Sequence, residues 1–499
     1  MKISIITVFP ELHELFIKTS IIGRAVEKGR LEFNIVRFSD MCSPKERIDE
    51  PTVGPGVGMI IKPAIVQRAI DACENKLGPG FKIFFSPQGV KLDQRKLVEI
   101  AQRISTGTIA LRDARANAHT PQGDRCDSKS TRLSNPDLPE ESVGALAKTD
   151  ISKGEIASPH LILVCSRYEG IDARVEEHYA DLVISIGDYV VMGGDLPAQI
   201  FLEGLLRLIP GIVGKQESVA QDSFQTSFLD HPEYGLPVTW EGKTIPTVLR
   251  SGNHAEIDSW RKNAAAQKTI LNRFDWFSGS QLTPQDTAHA IKFIPPHYIA
   301  LMHTDVNLKE GRVGTTSIAS LDIHDTARAC ATYAVKNLFI VTPLHDQQEV
   351  AKTFLSFWRS EQGTKYNPSR QQAVNLVQLV TSFDHLVSTI EQQERARPFI
   401  VTTSAKAHAF GTTIDYQSQA EVWRHRRPVL FVFGTGQGLS NNMLAKSDYA
   451  LIPVQGLSTY NHLSVRSAVS IILDRWLGLH PHLNHLNYTK NHLNKDLQG

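Results

Sequence analysis

The sequence predicts an α/β protein built as two tandem units, with a helical segment after the first. Short apolar, β-branched runs alternate with stretches whose apolar residues recur at helical spacing, as in parallel sheets covered by helices. This rhythm stops in the middle of the chain and starts again near residue 297. At 499 residues the chain is also too long for one ordinary domain.

The first part of the chain contains five predicted strands and three predicted helices. The strands are KISIITVF at the N-terminus, Leu31–Val36, Phe81–Phe85, Leu161–Val164 and Leu182–Ile186. The helices are Lys62–Cys73, Asp93–Ile104 and Leu196–Ile209, the last of them bounded by Gly194 and Pro210. Residues 107–158 lack apolar periodicity, so we expect a disordered insertion there, inside a first domain that spans residues 1–235.

After the first domain the sequence predicts a helical extension at 236–278, with a helix over Gly252–Phe277. A linker is expected at 279–296, a second α/β domain at 297–488 and a tail at 489–499. In the second domain the predicted strands are Ile299–His303, Asn337–Val341, Phe399–Thr402, Pro428–Phe433 and a short run at 449–454. The predicted helices are Thr326–Val335 and Gln347–Phe357.

Composition excludes several classes of protein. Hydrophobic residues make up 41% and charged residues 21%, which is typical of a globular protein with buried cores. With 53 basic and 52 acidic residues there is no global basic field, so nucleic-acid binding requires local patches. The five cysteines form no CxxC pair, which argues against a disulfide framework and a cysteine zinc site. We expect a cytoplasmic protein with no signal peptide and no membrane span.

Three motifs follow predicted strands of the first domain. They are Ser86-Pro87-Gln88-Gly89, then CSRYEGID at 165–172, then SIGDYVVMGGDLPA at 185–198. Each alone is compatible with an ordinary turn. A turn does not explain why all three follow strands of one domain, and loops at strand ends are where open α/β sheets bind ligands. Glycines in the third motif allow close backbone approach, and its apolar side chains could sandwich an adenine.

These motifs, with IPG…QDSF and VLRSGNHAEIDSWR, occur in the order and approximate spacing of a known family. The chain resembles the bacterial tRNA (guanine-N1-)-methyltransferases of the SPOUT superfamily over residues 1 to about 277, apart from the insertion. The resemblance implies a trefoil-knotted α/β fold and a homodimer with the active site at the interface. It also implies methylation of N1 of a guanosine beside the anticodon of tRNA, with S-adenosylmethionine as the methyl donor.

The reaction suits two charged residues. Asp222 is a reasonable general base for the guanine N1 proton, and Arg207 can stabilise negative charge toward O6. The resemblance also implies a supporting Mg²⁺, although the sequence contains no dedicated ligand cluster and we assign no metal ligand. By resemblance, the cofactor is surrounded by Ser86, Pro87, Gly89, Ser166, Tyr168, Glu169, Gly170, Ile186, Gly187, Asp188, Tyr189, Val190, Val191, Gly193, Gly194 and Pro197.

The sequence departs from the family pattern at two places. The family's aromatic and triple-glycine loop is replaced by Thr52–Met59, which lacks the aromatic residue and has its glycines in a changed order. Ser166 stands where the family usually has glycine, which adds a side chain beside the expected cofactor. A degenerate, inactive copy of the enzyme is therefore the alternative to an active one.

The second domain has a separate glycine-rich loop, Gly434–Gly438, after a predicted strand. A nicotinamide site is disfavoured because the spacing is G-x-G-x-G and no acidic residue follows about twenty positions on. Together with the runs at 315–325, 449–454 and 458–468, the loop instead resembles the cofactor-binding knot of SPOUT RNA methyltransferases over residues 297–488. The resemblance implies cofactor contacts from Thr402, Gly434, Gly436, Ile452 and Leu463, with Asn461 and Arg466 as weaker catalytic candidates.

The helical extension is expected to hold tRNA through Arg261, Lys262, Lys268 and Arg273. The run Trp423–Arg427 is either an RNA-contact patch or a solvated helix end, and the histidines at 480, 482, 485 and 492 belong more naturally to a frayed tail than to a metal site. Two functional hypotheses follow. One is a bifunctional RNA methyltransferase, and the other is one active domain joined to a non-catalytic RNA-binding SPOUT module.

Overall fold

The computed structural model describes residues 1–54, 58–107, 159–213 and 222–481. The chain divides into two compact units, Met1–Ala220 and Gln221–Gly499, and each is described by itself. The insertion expected at 107–158 lies outside the described residues except for Gly107, and the tail expected at 489–499 lies outside them entirely. Among the residues that are described, no helix has both the length and the apolar character to cross a membrane.

The described part of the first unit contains seven strands. They are β1 (Lys2–Thr7), β2 (Glu32–Arg37), β3 (Asp49–Pro51), β4 (Met59–Ile61), β5 (Phe81–Lys91), β6 (His160–Val164) and β7 (Leu182–Ser185). Five of them form a parallel sheet in the order β2-β1-β6-β5-β7, and β3 pairs antiparallel with β4. Every residue of β6 is buried, because helices cover both faces of a parallel sheet.

Six helices in the described part of the first unit accompany this sheet. They are α1 (Glu11–Lys18), α2 (Ser20–Glu27), α3 (Pro63–Leu77), α4 (Gln94–Ser105), α5 (Ala173–Tyr179) and α6 (Asp195–Leu208). Alternate residues of the strands point to opposite faces and form two cores. Ile5 packs with residues of α4 and α6 on one face, and Ile6 packs with residues of α3 on the other.

The described part of the second unit contains a larger parallel sheet. Its strands are β8 (Thr239–Trp240), β9 (Lys243–Thr244), β10 (His297–Met302), β11 (Val306–Asn307), β12 (Val313–Gly314), β13 (Asn337–Val341), β14 (Val377–Val380), β15 (Phe399–Thr402), β16 (Thr412–Ile414), β17 (Val429–Gly434) and β18 (Tyr449–Leu451). Seven of these are ordered β14-β13-β10-β17-β15-β18-β16 in one sheet, and β8–β9 and β11–β12 form separate pairs. The predicted strands of this domain correspond closely to β10, β13, β15, β17 and β18.

The helices described in the second unit begin with the extension. They are α7 (His254–Asn272), α8 (Phe274–Ser278), α9 (Pro284–Ala290), α10 (Ser320–Thr332), α11 (His345–Arg359), α12 (Glu361–Tyr366), α13 (Pro368–Val374), α14 (Phe383–Glu394), α15 (Gln419–Trp423), α16 (Asn441–Leu444) and α17 (Val465–Leu477). The single helix predicted over Gly252–Phe277 is interrupted at Arg273, whose φ of −144° and ψ of 51° are not helical.

The interval expected to be a linker, 279–296, contains helix α9. Thr283 accepts a hydrogen bond from the backbone of Asp286, whose side chain accepts one in return, and Pro284 occupies the first turn. The extension also shares a hydrophobic core with the second domain, because Ile270 and Phe277 belong to the same buried cluster as Trp423. Within the second unit, the extension is therefore built into the domain that follows it.

Candidate cofactor pocket and active site

The three motifs of the first unit begin at one edge of the sheet. In the parallel register, Phe84 of β5 pairs with Val164 of β6, and Phe85 pairs with Ile184 of β7. The carboxyl ends of these three neighbouring strands therefore lie side by side, and the loops that follow them meet there. This is the position at which parallel α/β sheets bind ligands.

The loops enclose a cavity of about 380 Å³. Its walls include fourteen of the sixteen residues that the resemblance implies for the cofactor: Ser86, Pro87, Ser166, Tyr168, Glu169, Gly170, Ile186, Gly187, Tyr189, Val190, Val191, Gly193, Gly194 and Pro197. The other two, Gly89 and Asp188, are not among the lining residues. Asp188 is exposed and forms an ion pair of 2.8 Å with Lys91.

The first motif is not the strand-ending corner that the sequence suggested. Residues 86–89 lie inside β5 as a bulge, because Phe85 and Val90 both pair with Ile184. Gly89 packs against the backbone of β7, where a Cβ would come within 2.6 Å of the Ile184 nitrogen. Gly89 therefore allows close packing of two strands, and it faces the sheet rather than the cavity.

The second motif is held by the β3–β4 hairpin. The backbone amide of Glu169 donates to the Met59 carbonyl at 3.0 Å, and the Ile61 amide donates to the Gly170 carbonyl. Gly58 has a φ of +126°, and a Cβ there would lie 2.4 Å from Cγ of Glu169. The altered glycine loop thus contacts a residue of the cavity wall, while its residues 55–57 lie outside the described part of the chain.

A buried ionic network fixes the third motif. Asp195, the first residue of α6, accepts hydrogen bonds from Thr7 at 2.5 Å and from Arg167 Nε at 2.9 Å. His13 Nε2 lies 3.0 Å from the same carboxylate. Burial opposes ionisation of Asp195, but the hydrogen bonds from His13 and Thr7 and the charge of Arg167 outweigh it and lower the pKa. The network links the second and third motifs through Arg167, which also lines the cavity.

The donor set at this network does not fit Mg²⁺. His13, Cys165 and Asp195 have potential ligand atoms within 4.8 Å of one another, and they are the one such group among the described residues. Mg²⁺ requires mostly oxygen ligands in an octahedron. Here burial raises the pKa of the Cys165 thiol, and the carboxylate is already neutralised by Arg167. These three side chains therefore do not provide a Mg²⁺ site.

The glycines of the third motif allow the two loops to touch. A Cβ on Gly194 would lie 2.8 Å from Cα of Cys165 and from the backbone nitrogen of Ser166. The Gly194 amide donates to the Ser166 carbonyl at 2.8 Å. The side chains beyond this contact are open to solvent, since Val190 and Met192 are exposed. The loop therefore has a rigid base and an accessible apolar rim.

The two catalytic candidates are not among the residues that line this cavity. Arg207 is exposed in the last turn of α6, whereas Gly194 precedes the first turn. At the helical rise per residue they are separated by about 20 Å. Asp222 is half-buried at the start of the described part of the second unit.

The second unit has a similar edge, formed by β17, β15 and β18. Thr402 pairs with Val432 on one side and with Ala450 on the other, so Thr402, Gly434 and Ile452 lie near one another at the carboxyl ends. The Thr402 hydroxyl is buried and lies 2.6 Å from the Ser447 hydroxyl. Gly436 has a φ of +61° in the loop after β17, and Leu463 lies in the loop before α17.

The weaker catalytic candidates of this unit have structural partners. Asn461 donates to the Ala405 carbonyl at 2.7 Å. Arg466 donates to Asp322 at 3.1 Å and lies 3.7 Å from Asp325. Burial raises the pKa of Asp322 against the opposing charge of Arg466. Both candidates therefore connect segments of the second unit.

The expected RNA contacts differ in their surroundings. Arg261 and Lys262 are exposed on α7, and neither forms an ion pair with the described residues. Lys268 is exposed and donates to the Asp230 carbonyl. Arg273 is ion-paired with Asp275 at 2.9 Å and lies over the Phe224 ring. The charge of Arg273 is therefore compensated within the fold.

The remaining basic and histidine-rich runs also have defined positions. Trp423 is fully buried and donates to His297 Nε2 at 3.3 Å, so the aromatic residue of the 423–427 run belongs to the core. His480 Nε2 lies 3.9 Å from the Asp474 carboxylate. The histidines at 482, 485 and 492 lie outside the described residues.

Comparison with known proteins matches both units. The tRNA (guanine-1)-methyltransferase family matches residues 1–110 and 142–279. A family described as SAM-dependent RNA methyltransferases matches residues 296–478. A parallel α/β sheet with a cavity at its carboxyl edge, matched to these two families, defines the class of the protein as an RNA methyltransferase.

Full-length relatives specify the family. A tRNA (guanine-N(1)-)-methyltransferase of Nitratidesulfovibrio vulgaris is 32% identical over 96% of this chain and 99% of its own length. One of Oleidesulfovibrio alaskensis is 31% identical over the same shares. One of Bacillus subtilis is 32% identical over 57% of this chain and 96% of its own length. The chain belongs to the tRNA (guanine-N1-)-methyltransferase family and carries a second RNA methyltransferase domain, which confirms the resemblance inferred from the motifs.

Some cavity residues were not found by sequence reasoning. Arg167 lies within the second motif, but its role depends on Asp195 and His13, which are distant in sequence. Glu176 on α5 and Met192 also line the cavity. Glu176 is the second carboxylate of the wall beside Glu169. Helical spacing from the loop into α5 was the available signal for Glu176.

Proposed function

We propose that the first domain methylates N1 of the guanosine beside the anticodon of tRNA, with S-adenosylmethionine as donor, and that the second domain methylates another RNA position. The observation that supports this most is the cavity at the ends of β6, β5 and β7, lined by the motifs of a tRNA (guanine-N1-)-methyltransferase. We further propose domain boundaries at 235, 278, 296 and 488, and a SPOUT-type knot in each domain. We propose the cytoplasm as the compartment.

The cavity residues suit S-adenosylmethionine. A volume of about 380 Å³ lies in the range of small-ligand sites. Ile186, Tyr189 and Val191 provide apolar surface for a purine ring. Glu169 provides a carboxylate for a cationic ligand. Glu176 is a second acidic group of the wall, although burial raises its pKa and so disfavours its ionised form. When bound, S-adenosylmethionine supplies an already activated methyl group.

The chain's own residues perform the remaining steps. Asp222 removes the N1 proton of guanine, which allows the ring nitrogen to act as nucleophile. Arg207 offers a guanidinium to O6, where negative charge develops as the proton leaves. The Arg167–Asp195 pair holds the two cofactor loops together, so that the reacting groups meet in a fixed geometry.

We propose that a second copy of the chain completes this active site. Arg207 lies about 15 Å along α6 from Pro197, a cavity-lining residue of the same helix. Apolar side chains are exposed on two packed helices beside the cavity loops: Leu12 and Leu15 on α1, and Leu196 and Ile200 on α6. An exposed apolar patch of this kind is typical of a subunit interface. These features support a homodimer in which each protomer supplies catalytic groups to its partner.

Methylation of undermodified tRNA tests the proposal. The purified full-length protein is incubated with methyl-labelled S-adenosylmethionine and tRNA from cells that lack this modification, and nucleosides are analysed by mass spectrometry. We expect 1-methylguanosine beside the anticodon. A folded protein that binds the cofactor but forms no 1-methylguanosine contradicts the proposal for the first domain.

A second candidate function is an enzyme joined to a non-catalytic RNA-binding module. The ion pairs of Arg466 with Asp322 and Asp325 favour it, because they use the residue most suited to catalysis in the second domain. Titration calorimetry with S-adenosylmethionine separates the two functions. Two sites per chain support two methyltransferases, and one site supports the binding module.

A further inference from the structure

The second unit contains an open groove that is separate from the strand ends at β17, β15 and β18. The groove has a volume of about 600 Å³ and lies between α7 of the extension, the segment around residue 234, and the end of α15 in the methyltransferase domain. Both parts of the second unit therefore contribute to one surface. It contains Lys268, one of the four RNA contacts expected from the sequence, and Arg424 of the 423–427 run.

Aromatic side chains form part of the groove wall. Trp260 is half-buried at the N-terminal half of α7, and its ring lies 6.1 Å from that of Tyr234 at an angle of 57°. Phe293 lines the same groove. Exposed faces of such rings stack well on nucleobases, whatever the sequence, because every base has a π face.

Polar side chains on α7 continue the wall. Asn263 and Gln267 follow Trp260 at intervals that place them on one face of the helix, and Asn272 lines the groove at the last residue of α7. Within the described residues, the Gln267 amide has no hydrogen-bond partner, so its donor and acceptor are available to a base edge. The Asn263 carbonyl oxygen lies 3.0 Å from His289 Nδ1, which fixes that side chain.

Two cations lie in the same groove. Lys268 is on α7, and Arg424 at the end of α15 donates to Asn272 at 3.1 Å. Neither forms an ion pair with the described residues, so both positive charges are available to a phosphate. Stacking rings, amides and uncompensated cations in one concave surface are the features of single-stranded nucleic-acid sites.

We propose that this groove binds unpaired nucleotides of the RNA substrate, with a base stacked on Trp260 and phosphates near Lys268 and Arg424. The inference rests on the proposed function for the identity of the RNA as a substrate. The groove is too small for a duplex, whose bases are also hidden from stacking. An unpaired loop or a flipped nucleotide is therefore the expected ligand.

Fluorescence anisotropy tests the groove directly. The full-length protein without cofactor is titrated into a short fluorescein-labelled single-stranded RNA and, separately, into a duplex of the same sequence. We expect Trp260→Ala to weaken binding of the single strand by roughly tenfold. The duplex is expected to bind similarly to both proteins. Lys268→Ala should reduce the slope of log affinity against log salt by about 0.7.

Two variants control for folding and for general loss of aromatic surface. Trp260→Phe retains a stacking ring and should keep most of the affinity. Trp240→Ala removes an exposed indole of the same unit that does not line the groove, and it should bind single-stranded RNA like the unaltered protein. Equal affinity of Trp260→Ala and the unaltered protein overturns the proposal. A change in oligomeric state on Trp260→Ala also overturns it, because the groove would then hold a second copy of the chain.

Methylation assays on the same variants distinguish failure of the groove proposal from failure of the proposed function. If Trp260→Ala raises KM for tRNA while kcat at saturating tRNA is retained, both are supported. If the protein forms no 1-methylguanosine but Trp260→Ala still loses single-strand affinity, the proposed function fails and the groove stands. If 1-methylguanosine forms and Trp260→Ala leaves KM unchanged, the groove fails and the proposed function stands.

Discussion

In the first unit β6, β5 and β7 lie side by side, and in the second unit β17, β15 and β18 do, in each case with the middle strand first in the chain. The first strand of each unit's parallel sheet, β1 or β10, pairs with the outer strand β6 or β17. The two sheets therefore share a neighbour order, although the sequences of the two halves show no obvious residue-level repeat.

In both units the last of the three strands, β7 or β18, pairs with the middle strand and also with a segment that follows the middle strand in the chain. In the first unit, Ile184 of β7 pairs with both Phe85 and Val90 of β5. In the second unit, Ala450 of β18 pairs with Thr402 of β15 and with Thr413 of β16. The intervening residues form a short bulge in one unit and a longer loop in the other.

The loops differ more than the strands. In the first unit they enclose a cavity with two carboxylates, and a buried ion pair between Arg167 and Asp195 joins two of them. In the second unit the polar groups near the edge bond to one another, as Thr402 does with Ser447. A shared strand order therefore positions both edges, while loop residues determine the chemistry of each.

Replacement of Asp222 tests whether the first edge is catalytic. Asp222→Ala removes the proposed base and should lower 1-methylguanosine formation by about 10²- to 10⁴-fold. Cofactor affinity by calorimetry should stay within about twofold, because Asp222 is not part of the cavity wall. Asn461→Ala in the second unit is the matched control and should leave 1-methylguanosine formation unchanged. A loss of cofactor affinity in Asp222→Ala would mean that Asp222 has a structural role.

A single methyl group added at each edge tests whether both edges bind the cofactor. In Gly194→Ala the new Cβ would meet Cα of Cys165 at 2.8 Å, and in Gly434→Ala it would meet the Leu439 nitrogen at 2.5 Å. Both clashes are with backbone, so the loops must shift. We expect each variant to weaken one S-adenosylmethionine site by about tenfold or more, measured by calorimetry.

The control for these variants is Gly235→Ala, because a Cβ at Gly235 meets nothing within 4 Å. It should leave both sites intact. If Gly434→Ala leaves every observed site unchanged, the second edge does not bind the cofactor. Thermal unfolding of each variant checks that the fold is retained.

Much of the fold was predictable, because buried parallel strands are contiguous apolar runs and three of them precede the motifs. The bulge at residues 86–89 was not, because it depends on pairing between β5 and a strand more than 90 residues later. The Asp195 network likewise joins His13, Arg167 and Thr7 only after folding. Helix α9 could have been predicted from Thr283, Pro284 and Asp286, which form a capping signal.

The free energies of unfolding of the two units should also respond differently to acidic pH, and this effect is smaller than those of the variants above. Burial lowers the pKa of His303 to about 4, and His297 likewise to about 4. The unfolded chain therefore binds more protons than the folded chain between pH 6.5 and 4, so this stability is fully present above pH 6.5 and falls as the pH is lowered. His160 in the first unit shifts in the same direction, again through burial. Asp195 there has a lowered pKa, and its contribution is lost only below its unfolded value of 3.8.

Tryptophan fluorescence measures this difference, because all six tryptophans lie in the second unit. Between pH 7 and pH 5 we expect the free energy of unfolding reported by fluorescence to fall by roughly 1–2 kcal/mol for each of the two histidines. His303→Asn should reduce this fall, since Asn does not titrate and can still reach Thr316. A fluorescence transition that does not change over this pH range would contradict the prediction.

The smallest expected effect concerns the one charged residue that resemblance assigned to the cofactor and the structure leaves outside the cavity. Asp188 is paired with Lys91 at an exposed site, where an ion pair contributes little. Asp188→Ala should therefore change S-adenosylmethionine affinity by less than about twofold, measured by calorimetry beside Gly194→Ala. A tenfold loss would mean that the loop after β7 rearranges on binding and brings Asp188 to the ligand.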